Sequence, residues 1–171
     1  TERTFFRYFA DKREVLFWGA AALEQQIVEA ITRVEDLAVP IDVVARALDA
    51  IAPTFEERRA FARQRHALIA AHAELLEREL KKMAALGSAM AAALRERGLE
   101  EPAASLTAEM GIAMFRLGFE RWVRDAKGRT LRAHLAEVLE ATKAVTGATE
   151  RREGTRARAA KVSPAGRRRA R

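Results

Sequence analysis

Apolar side chains recur every three or four residues along most of this chain, a spacing that places them on one face of an α-helix. The first such stripe predicts one long helix over residues 12 to 33 and consists of Leu16, Ala20, Leu23, Ile27, Ala30 and Val34. A second helix is predicted to begin at Pro40 and to end at Pro53, because proline suits the first turn of a helix and disrupts its interior. Thr54 and Glu57 form a capping-box pattern, which predicts that a third helix begins there.

Residues 54–97 contain no proline, and Gly87 is their single glycine. One helix of that length is unusual in a compact domain, so length favours two helices, and no residue marks the break between them. The predicted inner stripe of the second helix is Leu76, Leu80, Met83, Gly87, Met90 and Leu94. Gly98 is expected to end this helix, and Pro102 is expected to begin the next one.

The next predicted helix, over residues 103–127, carries two apolar stripes. One consists of Leu106, Met110, Ala113 and Leu117, and the other of Ala104, Ala108, Gly111, Phe115, Gly118 and Trp122. A helix that is apolar on two faces is expected to be buried on both. Gly128 should end this helix and Thr130 should cap the last one, whose predicted inner stripe is Leu131, Leu135, Val138, Thr142 and Val145. The chain is therefore predicted to be all-α.

Composition and charge restrict the possible classes of protein. The 171 residues are 49% hydrophobic, enough for one domain with a sizeable core, and they include no cysteine, which excludes disulfides and favours a cytoplasmic location. No apolar run approaches the roughly 18 residues of a membrane span, so no membrane partner is expected. The net charge of +7 comes from residues 147–171, which hold nine basic and two acidic side chains. This Arg-rich tail is predicted to be disordered, either adding salt-sensitive contacts to DNA or having no role.

The opening stretch, residues 1–17, is the most informative part of the sequence. Four of its aromatic side chains fall within five positions, at Phe5, Phe6, Tyr8 and Phe9, and they alternate with basic residues. At helical spacing the phenylalanines at 5 and 9 share a face suited to a core. The threonines at positions 1 and 4 share another face with the tyrosine, with arginines beside them, an arrangement suited to phosphates and base edges.

The run Thr4-Phe5-Phe6-Arg7-Tyr8-Phe9, followed by Lys12 and Leu16, resembles the end of the helix-turn-helix of the TetR/AcrR family of transcriptional regulators. The resemblance covers about a tenth of the chain. It implies a TetR-like helical bundle with a remnant of the helix-turn-helix over residues 1–17, a ligand-binding and dimerisation body over 18–146, and the tail over 147–171. Like the length of residues 54–97, it favours two helices there, broken near residues 71–74. It also implies two bracing helices upstream of Thr1, so the sequence is expected to be a truncated copy of a longer protein, and this piece alone is expected to bind DNA poorly.

The same resemblance assigns DNA contacts by position in the motif. The implied DNA-binding residues are Thr1, Glu2, Arg3, Thr4, Arg7, Tyr8 and Lys12. Glu2 and Arg3 would face base edges, Arg7 a base or the backbone, and the others phosphates. The family often has a tyrosine at the position of Phe6, so the backbone contact of that hydroxyl is not expected here.

The helical body suggests an effector pocket and a subunit interface. The predicted pocket residues are Phe61, His66, Met83, Met90, Met114, Phe115 and Phe119, which are adaptable apolar side chains with one polar anchor. Plain core packing is the alternative for each of them. The predicted dimer interface, on the last two helices, is formed by Ala104, Ala108, Gly111, Gly118, Trp122, Leu131, Leu135 and Val138. In the family such helices build a four-helix bundle across a two-fold axis; a monomeric core is the alternative.

Catalysis finds little support in the sequence. His66 and His72 are six residues apart, not the four of a helical metal pair, and no serine lies in a nucleophile-elbow pattern. We therefore expect no enzyme activity, metal or cofactor. The favoured function is a ligand-responsive homodimeric repressor of a palindromic operator, in which an unknown small-molecule effector lowers operator affinity. The alternative is a helical dimerisation or scaffold module without a DNA-binding role, in which the opening aromatic residues belong to the core.

Overall fold

The computed structural model describes residues 16–17, 19–34 and 39–147, and these residues form six α-helices and no strand. The helices are α1 (Ala20–Arg33), α2 (Pro40–Glu56), α3 (Arg59–Ala71), α4 (Ala73–Glu96), α5 (Ala103–Arg124) and α6 (Leu131–Thr146). The predicted all-α class is confirmed for this part of the chain. The chain divides into two units, Thr1–Leu139 and Glu140–Arg171, with the boundary inside α6. The described part of the second unit is the end of that helix and Gly147.

The core of the first unit contains residues from all six helices. Its largest fully buried side chains are Ile27, Ile31, Val44, Leu48, Met90, Leu94, Met114, Trp122 and Leu131. Helix α3 adds Ala62 to this cluster. Burying one such aliphatic or aromatic side chain contributes about 1.5–3 kcal/mol, so this cluster is the main source of stability of the unit.

The first helix begins later than the apolar pattern predicts. Leu16 and Phe17 lie in a turn, and Gly19 has a φ of 91°, a left-handed conformation that interrupts any helix arriving from upstream. The backbone N–H of Ala20 donates to the carbonyl of Phe17 at 3.1 Å. The prediction of one helix from residue 12 is therefore wrong at residues 16, 17 and 19, while residues 12–15 and 18 lie outside the described part.

Helix α2 continues through Pro53 instead of ending there. A proline inside a helix leaves the carbonyl four residues earlier without its usual donor, here that of Asp49. Arg132 on α6 supplies the missing bonds, because its Nε and Nη2 both donate to the Asp49 carbonyl at 3.3 Å. Its Nε also lies 3.1 Å from the Asp49 carboxylate. The predicted helix start at Thr54 is accordingly wrong, and α3 begins at Arg59.

Three other predicted boundaries are confirmed. The break between α3 and α4 falls at His72, whose backbone is extended with φ −130° and ψ 115°. Gly98 follows α4 with a φ of 88°, and the N–H of Leu99 donates to the carbonyl of Leu94 at 3.1 Å, closing the helix end. Thr130 caps α6 through its Oγ1, which accepts from the N–H of Ala133 at 3.2 Å.

Helix α5 ends at Arg124, three residues before the predicted position. Two arginines of α3 bind its last carbonyl groups. Arg59 Nη2 donates to the carbonyls of Trp122 and Asp125 at 2.8 Å each, and Arg63 Nε donates to that of Val123 at 2.8 Å. These bonds supply donors to carbonyls at the C-terminal end of α5, where helical partners run out, and fix α3 against that end.

Two predicted apolar stripes face partly outward. On α4, Leu76 and Leu80 are exposed, whereas Leu75 is buried. The inner face of that helix is therefore displaced by one residue from the prediction in its first turns. On α5, Leu106 is 61% and Leu117 is 45% exposed, so the prediction that both faces of this helix are buried is wrong within the single chain.

Candidate effector cavity

A cavity of about 250 Å³ lies between α1, α2, α3, α4 and α5 and is bordered at one side by Leu16 and Phe17. Its larger apolar lining residues are Leu16, Phe17, Leu23, Phe55, Phe61 and Phe119. Its polar lining residues are Gln26, Thr54, Arg58, Arg65 and Lys82. A mostly apolar wall with a few polar groups is typical of sites for small organic molecules, although this cavity is smaller than the usual range of about 300–1,000 Å³.

Stacked aromatic rings form the wall of the cavity on the side of α5. The ring centroid of Phe119 lies 5.6 Å from that of Phe55, in an edge-to-face arrangement, and 5.5 Å from that of Trp122. Phe115 lies behind them, 5.5 Å from Phe55. Aromatic pairs at these separations contribute about 0.5–1.5 kcal/mol beyond their buried area, so these contacts stabilise the wall.

Opposite charges meet at the edge of the cavity, where α3 lies against α4. Arg65 forms a two-pronged ion pair with Glu79, with Nη2 to Oε2 at 2.6 Å and Nη1 to Oε1 at 3.3 Å. Lys82 Nζ lies 3.7 Å from Glu79 Oε1. The side chains of Arg65, Glu79 and Lys82 are only 14%, 21% and 20% exposed. Ions that are this well covered interact more strongly than surface pairs, and each depends on its partner.

The surroundings of this cluster shift the pKa values of two of its members. Burial alone would raise the pKa of Glu79, but the hydrogen bond from Arg65 and the charges of Lys82 and Arg65 outweigh burial and hold that pKa below the ordinary value of 4.5. Burial lowers the pKa of Lys82, and the nearby carboxylate of Glu79 only partly opposes this effect. The ammonium of Lys82 is therefore incompletely compensated inside the fold.

Arg65 and Arg78 hold the segment that precedes α1. Arg65 Nε donates to the backbone carbonyl of Leu16 at 2.7 Å. The guanidinium groups of Arg65 and Arg78 lie 5.3 Å and 4.9 Å from the ring centroid of Phe17, within the range of cation–π attraction. Leu16 and Phe17 are thus fixed by side chains of α3 and α4 at the border of the cavity.

The predicted pocket residues are divided between the cavity and the core. Phe61 and Phe119 line the cavity, and the His66 ring lies 6.1 Å from that of Phe119. The other four, Met83, Met90, Met114 and Phe115, are buried in the hydrophobic core and are not among the residues lining the cavity. Sequence reasoning missed the polar side of the cavity, because Arg65 and Lys82 come together only when α3 folds back on α4 at His72.

All eight residues predicted for the dimer interface are buried inside the single chain. A Cβ atom added to Gly111 would collide with Val44 Cγ1 and would lie 2.7 Å from Met90 Cε. A Cβ atom added to Gly118 would lie 2.8 Å from Leu135 Cδ2. The small residues of α5 therefore permit close packing within the chain. The outward face of α5 instead presents Leu106, Met110, Ala113 and Leu117, here called the α5 outer stripe.

A second concavity, an open groove of about 580 Å³, lies where α5 ends and α6 begins. Its charged residues pair with one another: Arg129 with Glu137 at 2.5 Å and Arg124 with Glu120 at 2.8 Å. At its base His134 Nε2 lies 3.0 Å from Asp125 Oδ2, and both side chains are buried. Because these charges are already compensated, the groove is a weaker candidate for binding than the cavity.

The implied DNA contacts at residues 1, 2, 3, 4, 7, 8 and 12 and nearly all of the Arg-rich tail lie outside the described residues. Within the described ranges, no helix is long and apolar enough to cross a membrane. The same ranges contain no group of three or more histidine, aspartate or glutamate side chains suited to a metal ion. Comparison with protein-family models and with curated proteins finds no match to this chain.

Proposed function

We propose that the chain is the sensor body of a ligand-responsive, homodimeric transcriptional repressor of the TetR/AcrR type, with the end of its DNA-reading helix at residues 1–17. The observation that carries the proposal is the hydrogen bond from Arg65 to the backbone carbonyl of Leu16. The motif at the start of the chain leads directly into Leu16 and Phe17, and these two residues border the cavity. A molecule in the cavity would therefore touch the last residues of the proposed DNA-binding remnant.

The proposed mechanism is thermodynamic linkage between the cavity and the operator. An effector that binds better when residues 16–17 are displaced favours a conformation in which the two readers of a dimer no longer match successive major grooves, about 34–36 Å apart. Operator affinity then falls by the ratio of the effector's affinities for the two states, and the operator weakens the effector equally. Such coupling is typically about 1–3 kcal/mol.

The α5 outer stripe supports the homodimer. Its leucines, Leu106 and Leu117, lie three helical turns apart and are exposed in the single chain, a pattern that favours covering by a second helix. In an antiparallel pair with a two-fold axis near Ala113, Glu109 beside the stripe would lie opposite Arg116 of the partner subunit. Such a pairing would bring opposite charges together across the axis, which is compatible with an isologous interface.

A footprint of the full-length gene product on DNA upstream of its own gene tests the function. Protection of a palindromic site is expected. In the same protein, Arg3→Ala and Tyr8→Ala should weaken operator binding, and dimerisation measured by sedimentation should be unchanged. Equal operator affinity of both variants and the wild type would contradict the assigned roles.

The second candidate is a helical dimerisation or scaffold module without a DNA-binding role. The α5 outer stripe favours it as much as the repressor, since an exposed apolar face serves any self-association. The coding sequence upstream of Thr1 separates the two functions. About 30–45 further residues with two helices support the repressor, because a helix-turn-helix needs its first helix to brace the second. A start codon directly before Thr1 supports the scaffold.

A further inference from the structure

We propose that the cavity binds a small amphipathic carboxylate, with its apolar body against Phe55 and Phe119 and its carboxylate at Lys82 and Arg65. The binding itself is a property of the cavity, and only its regulatory consequence rests on the proposed function. The cavity has both parts that such a ligand needs. An aromatic wall can contact the apolar body, and cationic groups lie at the edge where α3 meets α4.

The charge of the lining selects an anion. Three cationic side chains, Arg58, Arg65 and Lys82, are among the described residues that line the cavity, and those residues include no aspartate or glutamate. Among the described residues one carboxylate is bound to this group, that of Glu79, which lies outside the lining and already accepts two hydrogen bonds from Arg65. Within the same residues two positive charges therefore remain beside an apolar space, one of them on the solvent-exposed Arg58. A neutral or cationic ligand would leave them uncompensated, whereas a monocarboxylate compensates one of them.

Donors remain for the incoming carboxylate. A guanidinium has five N–H groups, and three of those of Arg65 are used by Leu16 and Glu79. Lys82 has three donors and one carboxylate contact at 3.7 Å, longer than a hydrogen bond. Because burial already lowers the pKa of Lys82, an anion placed beside its ammonium removes part of that penalty.

The position of the carboxylate would connect binding to regulation. An anion at Arg65 would bind the same guanidinium as Glu79, through its remaining N–H groups, and that guanidinium also holds the carbonyl of Leu16. A change in the position of Arg65 is thus passed to the segment that precedes α1. If the proposed function holds, the amphipathic carboxylate is the class of effector that releases the operator.

Isothermal titration of the 171-residue chain with decanoate, below its micelle concentration, tests the binding. The matched ligands are 1-decanol, which keeps the chain and loses the charge, and decyltrimethylammonium, which reverses it. We expect saturable binding of decanoate, with affinity about 10- to 100-fold above that for decanol, as charge-assisted hydrogen bonds provide. Equal affinities for decanoate and decanol, or tighter binding of the cation, would overturn the proposal.

Variants at two neighbouring positions locate the carboxylate. Lys82→Met should lower decanoate affinity about tenfold or more and leave that for decanol unchanged, and Lys82→Arg should keep most of it. Lys81→Met is the control, since Lys81 is 75% exposed and pairs with Glu77 on the surface. Equal losses in Lys81→Met and Lys82→Met, or none in Lys82→Met, would refute the site. The titration contains no DNA and therefore tests binding separately from function. If the chain binds decanoate but the full-length gene product does not bind an operator, the proposed function is rejected and the binding proposal stands.

Discussion

Arg65 Nε donates a hydrogen bond of 2.7 Å to the backbone carbonyl of Leu16, which lies 49 residues earlier in the chain. The other edge of the same guanidinium forms the two-pronged pair with Glu79 of α4. One side chain thus joins three parts of the fold: the segment before α1, helix α3 and helix α4. Because a planar guanidinium fixes the direction of each bond, Arg65 sets the position of Leu16 as well as its attachment.

Replacement of Arg65 by methionine should release Leu16 and leave Glu79 poorly paired. We expect the free energy of unfolding to fall by about 1–3 kcal/mol, the cost of leaving a covered polar group without its partner. We also expect faster amide hydrogen exchange near Gly19. Urea unfolding and hydrogen exchange measure the two effects. Arg46→Met, at an exposed position of α2, is the control, and equal losses in both variants would contradict the role of Arg65.

Glu79 should make stability depend on pH in the acid range. Its pKa in the folded state lies below the ordinary 4.5, so its contribution is present above that pH and is lost as the pH falls through the lower folded-state value. The free energy of unfolding of the wild type should therefore fall more steeply than that of Glu79→Gln between about pH 5 and pH 3. Denaturant titrations at several pH values measure both slopes.

An Arg65→Met background provides the control for this pH effect. Because the hydrogen bond and charge of Arg65 help to lower the pKa of Glu79, the difference in slope should shrink when Arg65 is absent. With Arg65 present, the free energy of unfolding could instead change with pH equally in the wild type and in Glu79→Gln. That result would show that the ion pair has no such effect.

Two glycines in adjacent helices should respond oppositely to alanine. A Cβ at Gly111 would collide with Val44 and Met90, so Gly111→Ala should lower the free energy of unfolding by about 1–3 kcal/mol. At Gly87 the nearest atoms are at 3.4 Å, an ordinary contact, and Gly87→Ala should be neutral or stabilising by up to about 1 kcal/mol through helix propensity. Thermal unfolding compares the pair. A stable Gly111→Ala protein would mean that α5 does not pack as closely as described.

Charged residues on the α5 outer stripe should dissociate the proposed homodimer without unfolding its chains. Leu106→Glu combined with Leu117→Glu places carboxylates at exposed positions, so each chain should keep its helical content. The dimer dissociation constant should rise at least about tenfold, the usual effect of disrupting a buried interface centre. Sedimentation velocity measures it, with Leu80→Glu on α4 as the matched exposed control. A dimer that survives the double substitution would exclude this surface as the interface.

Periodicity, helix length, boundary residues and the family resemblance together predicted the six helices of the described residues and several of their ends. Gly98 and Thr130 act locally, since a left-handed glycine and a side-chain cap need only their own helix, and their roles were predictable. Pro53 was misjudged because its cost is offset by Arg132, which is distant in sequence. The rule that proline ends a helix considers only the local chain, and here a remote side chain compensates for the missing donor.

The candidate site was predicted less well than the fold. Apolar periodicity identifies residues that become buried, but it does not distinguish a cavity wall from solid core. Phe119 and Met114 have the same signal, and only Phe119 lines the cavity. For the same reason, small residues such as Gly118 indicate close approach of a helix without showing whether that helix belongs to the same chain. Arg65 gives no signal in the sequence, since its partners are separated from it by the break at His72.

The proposed repressor function is tested most directly by the affinity of the full-length gene product for the DNA upstream of its gene. Fluorescence anisotropy at fixed salt would compare a palindromic duplex from that region with a scrambled duplex of equal length. We expect the palindrome to bind at least about 1,000-fold more tightly, the lower end of the range for specific over non-specific DNA binding. Equal affinity for the two duplexes would contradict the proposed DNA-binding function.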